Sequence, residues 1–276
     1  MGDIVMITDS HVHFWNPGQL EYPWLESLPS LHKPFLPADY GAAVTRIVFV
    51  EANCRPEDAI REVRFVQQLA EREPRIGGIV AFADMTDPDL ERTLDTLSCA
   101  PLVKGIRHNI QGNAPGFALQ HAFVEGVRVV GRRGLSFDLC VTHDQLAEVL
   151  ELVQRCPDTQ FVLDHCGKPA IRLGLLEPWR AAVVRLAAHP NVCCKLSGLL
   201  TEAAGRRSDD DLLPYAAAVL DCFGVKRLLY GSDWPVLTLA GAYDEWFAFT
   251  ERFTAGWSAA ERGLFYEENT ARVYGL

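Results

Sequence analysis

The chain has 276 residues, with 26 Lys+Arg against 36 Asp+Glu, so its formal net charge is −10. No basic run offsets this acidity, which excludes nucleic-acid binding as a function class. Hydrophobic residues make up 49%, enough for a sizeable core and far from disorder. No stretch reaches the roughly 18 consecutive apolar residues of a membrane span, so no membrane partner is expected. The start, MGDIVMITDSHVHFW, lacks a basic region and a small-residue cleavage site, so a cytoplasmic protein without a signal peptide is expected. The eight cysteines form no C-x-x-C pair and read as small buried hydrophobes in a reduced compartment. Only Cys54 and Cys166 fall near predicted strand ends.

In chain order, the short apolar runs are IVMITD (4–9), RIVFVEA (46–52), IGGIVAFAD (76–84) and VKGIRHN (103–109). LSFDLCV (135–141), QFVLDHC (160–166), VCCKLSG (192–198) and RLLYGSD (227–233) follow. They are rich in Val, Ile, Leu and Phe and too short for helices, which is how strands buried on both faces read. Helical patterns separate them, at 56–73, 87–98, 121–133, 143–156, 177–189 and 211–224, with another at 242–253. Pro56 and Asp87-Pro88 sit where helix starts are expected. Eight strands alternating with these helical patterns predict an α/β fold, a (β/α)8 TIM barrel, as one domain over residues 1–276. No G-x-G-x-x-G follows the first run, which argues against a doubly wound dinucleotide fold. Residues 16–45 form a long insertion rich in Pro and aromatic residues. It reads either as a lid over one barrel mouth or as packing against the barrel side.

In such barrels the working residues sit at the C-terminal ends of strands. Here those ends carry His11 and His13, Glu51 and Asn53, Arg107, His108 and Asn109, Asp138, Asp164 and His165, Lys195 and Ser197, and Asp233. Lys168 and Trp234 follow closely. Ionisable groups gathered at one end of buried strands call for a polar site, because unpaired charge away from water is expensive. His11 and His13 are two apart on a strand, so both imidazoles point into one pocket. Such a pair binds a metal or donates two hydrogen bonds to one substrate oxygen. Asp233 suits a general base and His165 a carbonyl polariser, against structural roles for each. Arg107 offers a rigid donor fork for an anionic or polyhydroxylated substrate, against a structural ion pair. Strand alternation turns His108 to the opposite face from Arg107. Glu51 suits sugar hydroxyls or a metal. Trp24 and Trp234 suit stacking on a sugar ring, or plain packing. Lys168, Lys195 and Ser197 read equally well as structural. YGSDW is not a nucleophile elbow, so Ser232 has no case as a nucleophile.

DSHVHFW, VKGIRH, FVLDHCGKP, CKLSG and YGSDWP together resemble the amidohydrolase superfamily. The resemblance is to its amidohydrolase-2-type branch of sugar-acid lactonases, which includes fuconolactonases, and it runs from His11 to the NTARVYGL tail. It implies hydrolysis of a sugar-acid lactone, a small-molecule substrate, with His11, His13, His165 and Asp233 around the reacting carbonyl. It also implies that these four can hold one divalent ion such as zinc, with Glu51 as an alternative ligand. The branch includes enzymes that need no metal. Two-metal relatives add a strand 5 histidine and a bridging carboxylated lysine or a glutamate. Here strand 5 reads FDLCV, His143 comes only later, and Lys104 lies before the strand end, so a two-metal site is not expected. The alternative within the superfamily is metal-dependent decarboxylation of an aromatic or enoic acid. A neutral polyhydroxy lactone fits one main cationic contact, Arg107, better than a dicarboxylate does.

Overall fold

The computed structural model describes residues 6–206 and 208–276. Eight parallel strands neighbour one another in chain order: β1 (Thr8–Val12), β2 (Arg46–Val50), β3 (Ile76–Phe82), β4 (Val103–Arg107), β5 (Ser136–Leu139), β6 (Gln160–Leu163), β7 (Val192–Leu196) and β8 (Leu228–Tyr230). The two ends of the sheet then meet. Ser10 Oγ donates to Tyr230 O at 2.6 Å, His13 N to Trp234 O at 2.7 Å, and Asp233 N to His11 O at 2.9 Å. These bonds draw the sheet into a nearly closed barrel, the architecture expected from the eight apolar runs. In the first run, Ile4 and Val5 lie outside the described residues. Pairing of β1 with β2 continues to Val12, so His11 lies within the strand.

The helices are α1 (Ala59–Ala70), α2 (Leu90–Ser98), α3 (His121–Arg132), α4 (Leu146–Arg155), α5 (Trp179–Ala187), α6 (Leu199–Ala203), α7 (Asp209–Phe223), α8 (Tyr243–Phe253), α9 (Ala259–Gly263) and α10 (Asn269–Tyr274). Each of the longer crossings buries one stripe. In α4 this is Leu146, Val149, Leu150 and Val153, the i, i+3, i+4 spacing of an amphipathic helix. Ser208 opens α7 with a capping box, accepting from Asp211 N while the Asp211 carboxylate accepts from Ser208 N. Among the described residues the long insertion between β1 and β2 holds no α-helix, only two 3-10 turns at Pro23–Ser27 and Pro37–Asp39. Prolines at 17, 23, 29, 34 and 37 remove backbone donors throughout this segment.

The segment is tied to the barrel top. Trp15 bridges Phe35, and the Trp15 indole donates to Lys33 O at 2.9 Å. Phe35 and Tyr40 pack on Trp234. Trp24 extends over the mouth, with its indole donating to Ala52 O at 2.8 Å. Both readings of the insertion therefore hold in part.

The barrel interior is layered. Val48, Val50, Val80, Val162, Cys193 and Leu229 form an apolar cluster with Tyr274 of α10, and Val273 and Leu276 pack against it. Next comes a charged layer. Lys195 Nζ lies 2.6 Å from Asp138 Oδ2 and 3.0 Å from Asp164 Oδ1, with all three side chains fully buried. The Tyr274 hydroxyl donates to Asp138 Oδ2 at 2.7 Å. Beyond this layer lie the histidines. Among the described residues no helix is long and apolar enough to cross a membrane.

Candidate active site

His11 and His13 leave β1 on the same side, and their Nε2 atoms lie 3.2 Å apart. The His165 ring centroid is 4.4 Å from that of His11. Asp233 lies three residues beyond β8. Its Oδ1 is 3.4 Å from His13 Nε2, 3.7 Å from His11 Nε2 and 3.8 Å from His165 Nε2. One carboxylate oxygen thus faces three imidazole edges.

Backbone strain gathers at the same place. The described non-glycine residues with positive φ are Asn53, His165, Cys166, Lys168, Ala204 and Asp233, and four of them line one cavity. Such conformations cost about 1–3 kcal/mol each, so their clustering marks a site whose side-chain directions matter more than local stability. Gly198, at φ 69°, makes room for this arrangement. A Cβ there would stand 2.7 Å from His165 Cβ and 2.9 Å from its Nδ1. Gly198→Ala is therefore expected to displace the His165 ring and lower kcat about 10²-fold. Turnover within twofold of wild type would show that the contact does not position the ring.

The outer imidazole nitrogens are anchored. His13 Nδ1 donates to Val50 O at 2.8 Å, so the Nε2 of neutral His13 carries a lone pair. His165 Nδ1 meets Ser197 Oγ at 2.9 Å. His11 Nδ1 lies between a donor and an acceptor, Lys195 Nζ at 3.2 Å and Asp164 Oδ1 at 3.3 Å. With Lys195 donating, His11 Nε2–H donates to His13 Nε2. With Asp164 accepting instead, His11 Nε2 is freed as a ligand.

Burial lowers the pKa of His165 to about 4 and that of His11 well below its usual value. Both are neutral at neutral pH. Burial by itself would raise Asp233, but the imidazoles of His165, His13 and His11 hold its carboxyl below the usual range. The unfolded chain takes up imidazole protons below about pH 6.5, whereas folded His165 resists until about 4. The His165 contribution to stability is therefore expected to be fully present above pH 6.5 and to be lost as pH falls from 6.5 to 4, while buried Glu62, raised to about 8, works in the opposite direction. Thermal melts of wild type and His165→Gln across that range isolate the His165 contribution, and a difference between them that does not change with pH would contradict it.

The cavity above these groups measures about 310 Å³. His13, Arg107, His165 and Asp233 line its inner end, while Trp24, Asn53, Asn109, Gln111, Cys140 and Lys168 are among its walls. The structure thus brings His11, His13, His165, Asp233, Arg107 and Trp24 together. It uses some of the expected residues differently. Arg107 spends its fork on the protein: Nε donates to Glu51 Oε1 at 2.6 Å, Nη2 to Glu51 O at 2.6 Å and Nη1 to Asp164 Oδ2 at 3.1 Å. Glu51 is consumed likewise, since its Oε2 accepts from Asn53 N at 2.7 Å. His108 lies off the cavity wall. Its Nδ1 accepts from Met85 N at 3.1 Å, and Phe82, Phe117 and Phe123 surround its ring. Trp234 is buried against Phe14, Phe35 and Tyr40, also off the wall. Gln111 and Cys140 escaped sequence reasoning. The available signal was their position one to four residues past β5 and β4.

A divalent ion fits the convergent atoms. Ligand atoms of His11, His165 and Asp233 all lie within 4.8 Å of one another. In a tetrahedron with bonds of about 2.1 Å, ligands stand about 3.4 Å apart, near the Asp233–imidazole spacings. Three buried protein ligands with an open fourth position make a catalytic type of site. Among the described residues this is the one such group of three. The second-metal candidates lie elsewhere, with His143 turned to Lys168 O at 3.2 Å.

Comparison with known proteins places this arrangement. Residues 8–276 match the amidohydrolase family model Amidohydro_2. An L-fucono-1,5-lactonase of Burkholderia ambifaria is 34% identical over 254 residues, covering 88% of this chain and 86% of the relative. Another, from Burkholderia multivorans, is 36% identical, covering 97% and 95%. A crystal structure of an amidohydrolase from Burkholderia multivorans with bound zinc superposes with a TM-score of 0.89 at 34% identity, covering 98% of this chain and 99% of that one. The chain belongs to the amidohydrolase family.

Proposed function

We propose that this enzyme hydrolyses a sugar-acid lactone of the L-fucono-1,5-lactone type, with Asp233 activating water. The observation that carries the reading is Asp233 Oδ1 facing the Nε2 atoms of His11, His13 and His165 at the inner end of a cavity. The named activity of the two Burkholderia relatives, each about a third identical over most of its length, supports the substrate class.

The reaction follows from the donor and acceptor pattern. A water between Asp233 and His13 is oriented by the His13 Nε2 lone pair. Asp233 takes its proton as the oxygen bonds to the lactone carbonyl carbon. The Arg107 guanidinium, with its Nη1 3.5 Å from His11 Nε2, supplies positive field at the developing oxyanion. His165 donates from Nε2 when the Ser197 hydroxyl donates to its Nδ1. Collapse of the tetrahedral intermediate breaks the ring C–O bond, and Asp233 returns its proton to the departing alkoxide. The product acid ionises and releases a proton to solvent. His11, His165 and Asp233, with His13 alongside, would hold a divalent ion. Such an ion, when bound, polarises the carbonyl and acidifies water.

The test is acid release from a panel of aldonolactones followed by pH indicator, with and without chelator. Turnover on at least one lactone is expected. Activity that survives chelation assigns the carbonyl chemistry to the side chains alone. Activity lost on chelation and restored by Zn²⁺ makes the histidines metal ligands. Inert lactones together with CO2 release from an aromatic acid would replace this reading with decarboxylation.

A further inference from the structure

Two groups on the cavity wall have hydrogen-bonding capacity that the described residues do not use. Among the described residues the Asn109 carboxamide makes no hydrogen bond, and its Oδ1 is buried without a partner. Its backbone is nonetheless fixed, with Asn109 O accepting from Asn113 Nδ2 at 2.8 Å. Lys168 donates to Gln111 Oε1 and has no carboxylate within salt-bridge distance among the described residues. Two of its three ammonium donors are therefore unspent. Its backbone is also fixed, by Lys168 N donating to His165 O at 2.8 Å and by His143 on its carbonyl. Arg107, the other cation on the wall, is occupied by Glu51 and Asp164.

Polar groups left unpaired at a cavity wall are satisfied by what binds there. A hydroxyl both donates and accepts, so a ring carrying several can serve a carboxamide and an ammonium together. Trp24 adds an aromatic wall for the apolar part of such a ring. A dicarboxylate would leave one of its charges facing neutral amides.

We propose that Asn109 and Lys168 determine specificity by bonding the ring hydroxyls of the substrate, so that the cavity selects a neutral polyhydroxylated ring over an unsubstituted one. As a statement about catalysis this rests on the lactonase reading; as a statement about binding it stands independently.

The experiment has two arms on wild type, Asn109→Ala and Lys168→Met, each checked for an unchanged thermal melt. The first measures kcat/KM for the preferred aldonolactone against unsubstituted δ-valerolactone. The second measures calorimetric Kd for a panel of 1,5-anhydroalditols, which carry the hydroxyls but no carbonyl. Loss of the Asn109 carboxamide is expected to lower the preference for the hydroxylated lactone about five- to tenfold. Loss of the Lys168 ammonium is expected to lower it about tenfold or more. The anhydroalditol Kd should rise by similar factors. A preference and a Kd within twofold of wild type in both variants would overturn the inference. If wild type turns over no lactone, the lactonase reading fails and the anhydroalditol arm alone decides. In that case a raised Kd in the variants supports the subsite, and an unchanged Kd, or no binding by wild type, overturns it.

Discussion

Asp233→Asn is expected to give a folded protein with kcat lowered about 10²–10⁴-fold. Asparagine is the informative replacement because it keeps the shape and tolerates the left-handed backbone at φ 63°. The bond from residue 233 N to His11 O involves only main chain and survives. What disappears is the negative charge that faces three imidazoles and lets the side chain accept a proton from water. A thermal melt close to wild type would separate this chemical loss from unfolding. Turnover above a few per cent of wild type would move the base to another residue.

The second large effect concerns stability. Lys195→Met is expected to cost about 3–5 kcal/mol in urea unfolding, because it leaves buried carboxylates without their cation. Asp138 and Asp164 are both fully buried, and Lys195 Nζ reaches each within 3.0 Å. Arg107 also pairs with Asp164, but among the described residues Asp138 keeps only the hydroxyls of Tyr274 and Ser136. Adding Asp138→Asn should recover part of the loss, since the double variant buries one fewer unpaired charge. A single-variant loss below about 1 kcal/mol would show that water or neutralisation relieves the layer.

Much of this arrangement is legible in the sequence because it depends on strand periodicity. Eight short apolar runs, nearly all with an ionisable residue at or near the C-terminal end, announce the barrel and the end that carries the site. The two-residue spacing of His11 and His13 is sufficient to aim both imidazoles together. The partners of those residues are not legible, because they are distant in sequence or belong to the backbone. Arg107 looks like a substrate clamp until Glu51, 56 residues earlier, is seen to occupy it. His13 looks like a donor until Val50 O fixes its proton on Nδ1. Alternation does turn His108 away, but nothing local announces the three phenylalanines around it. The hydroxyl of Tyr274 reaches Asp138 across 136 residues, from a tail whose pattern signals only a helix end. The lack of a helix between β1 and β2 was legible, because a proline-rich stretch lacks the backbone donors of a helix interior.

The most direct measurement follows aldonolactone hydrolysis by the wild-type enzyme in H2(18)O, with the product analysed by mass spectrometry. Attack on the carbonyl by Asp233-activated water predicts enzymatic acid formation with one (18)O atom in the carboxylate and none in the released hydroxyl. Label in the hydroxyl, or no acid beyond the uncatalysed rate on any lactone, would contradict the account.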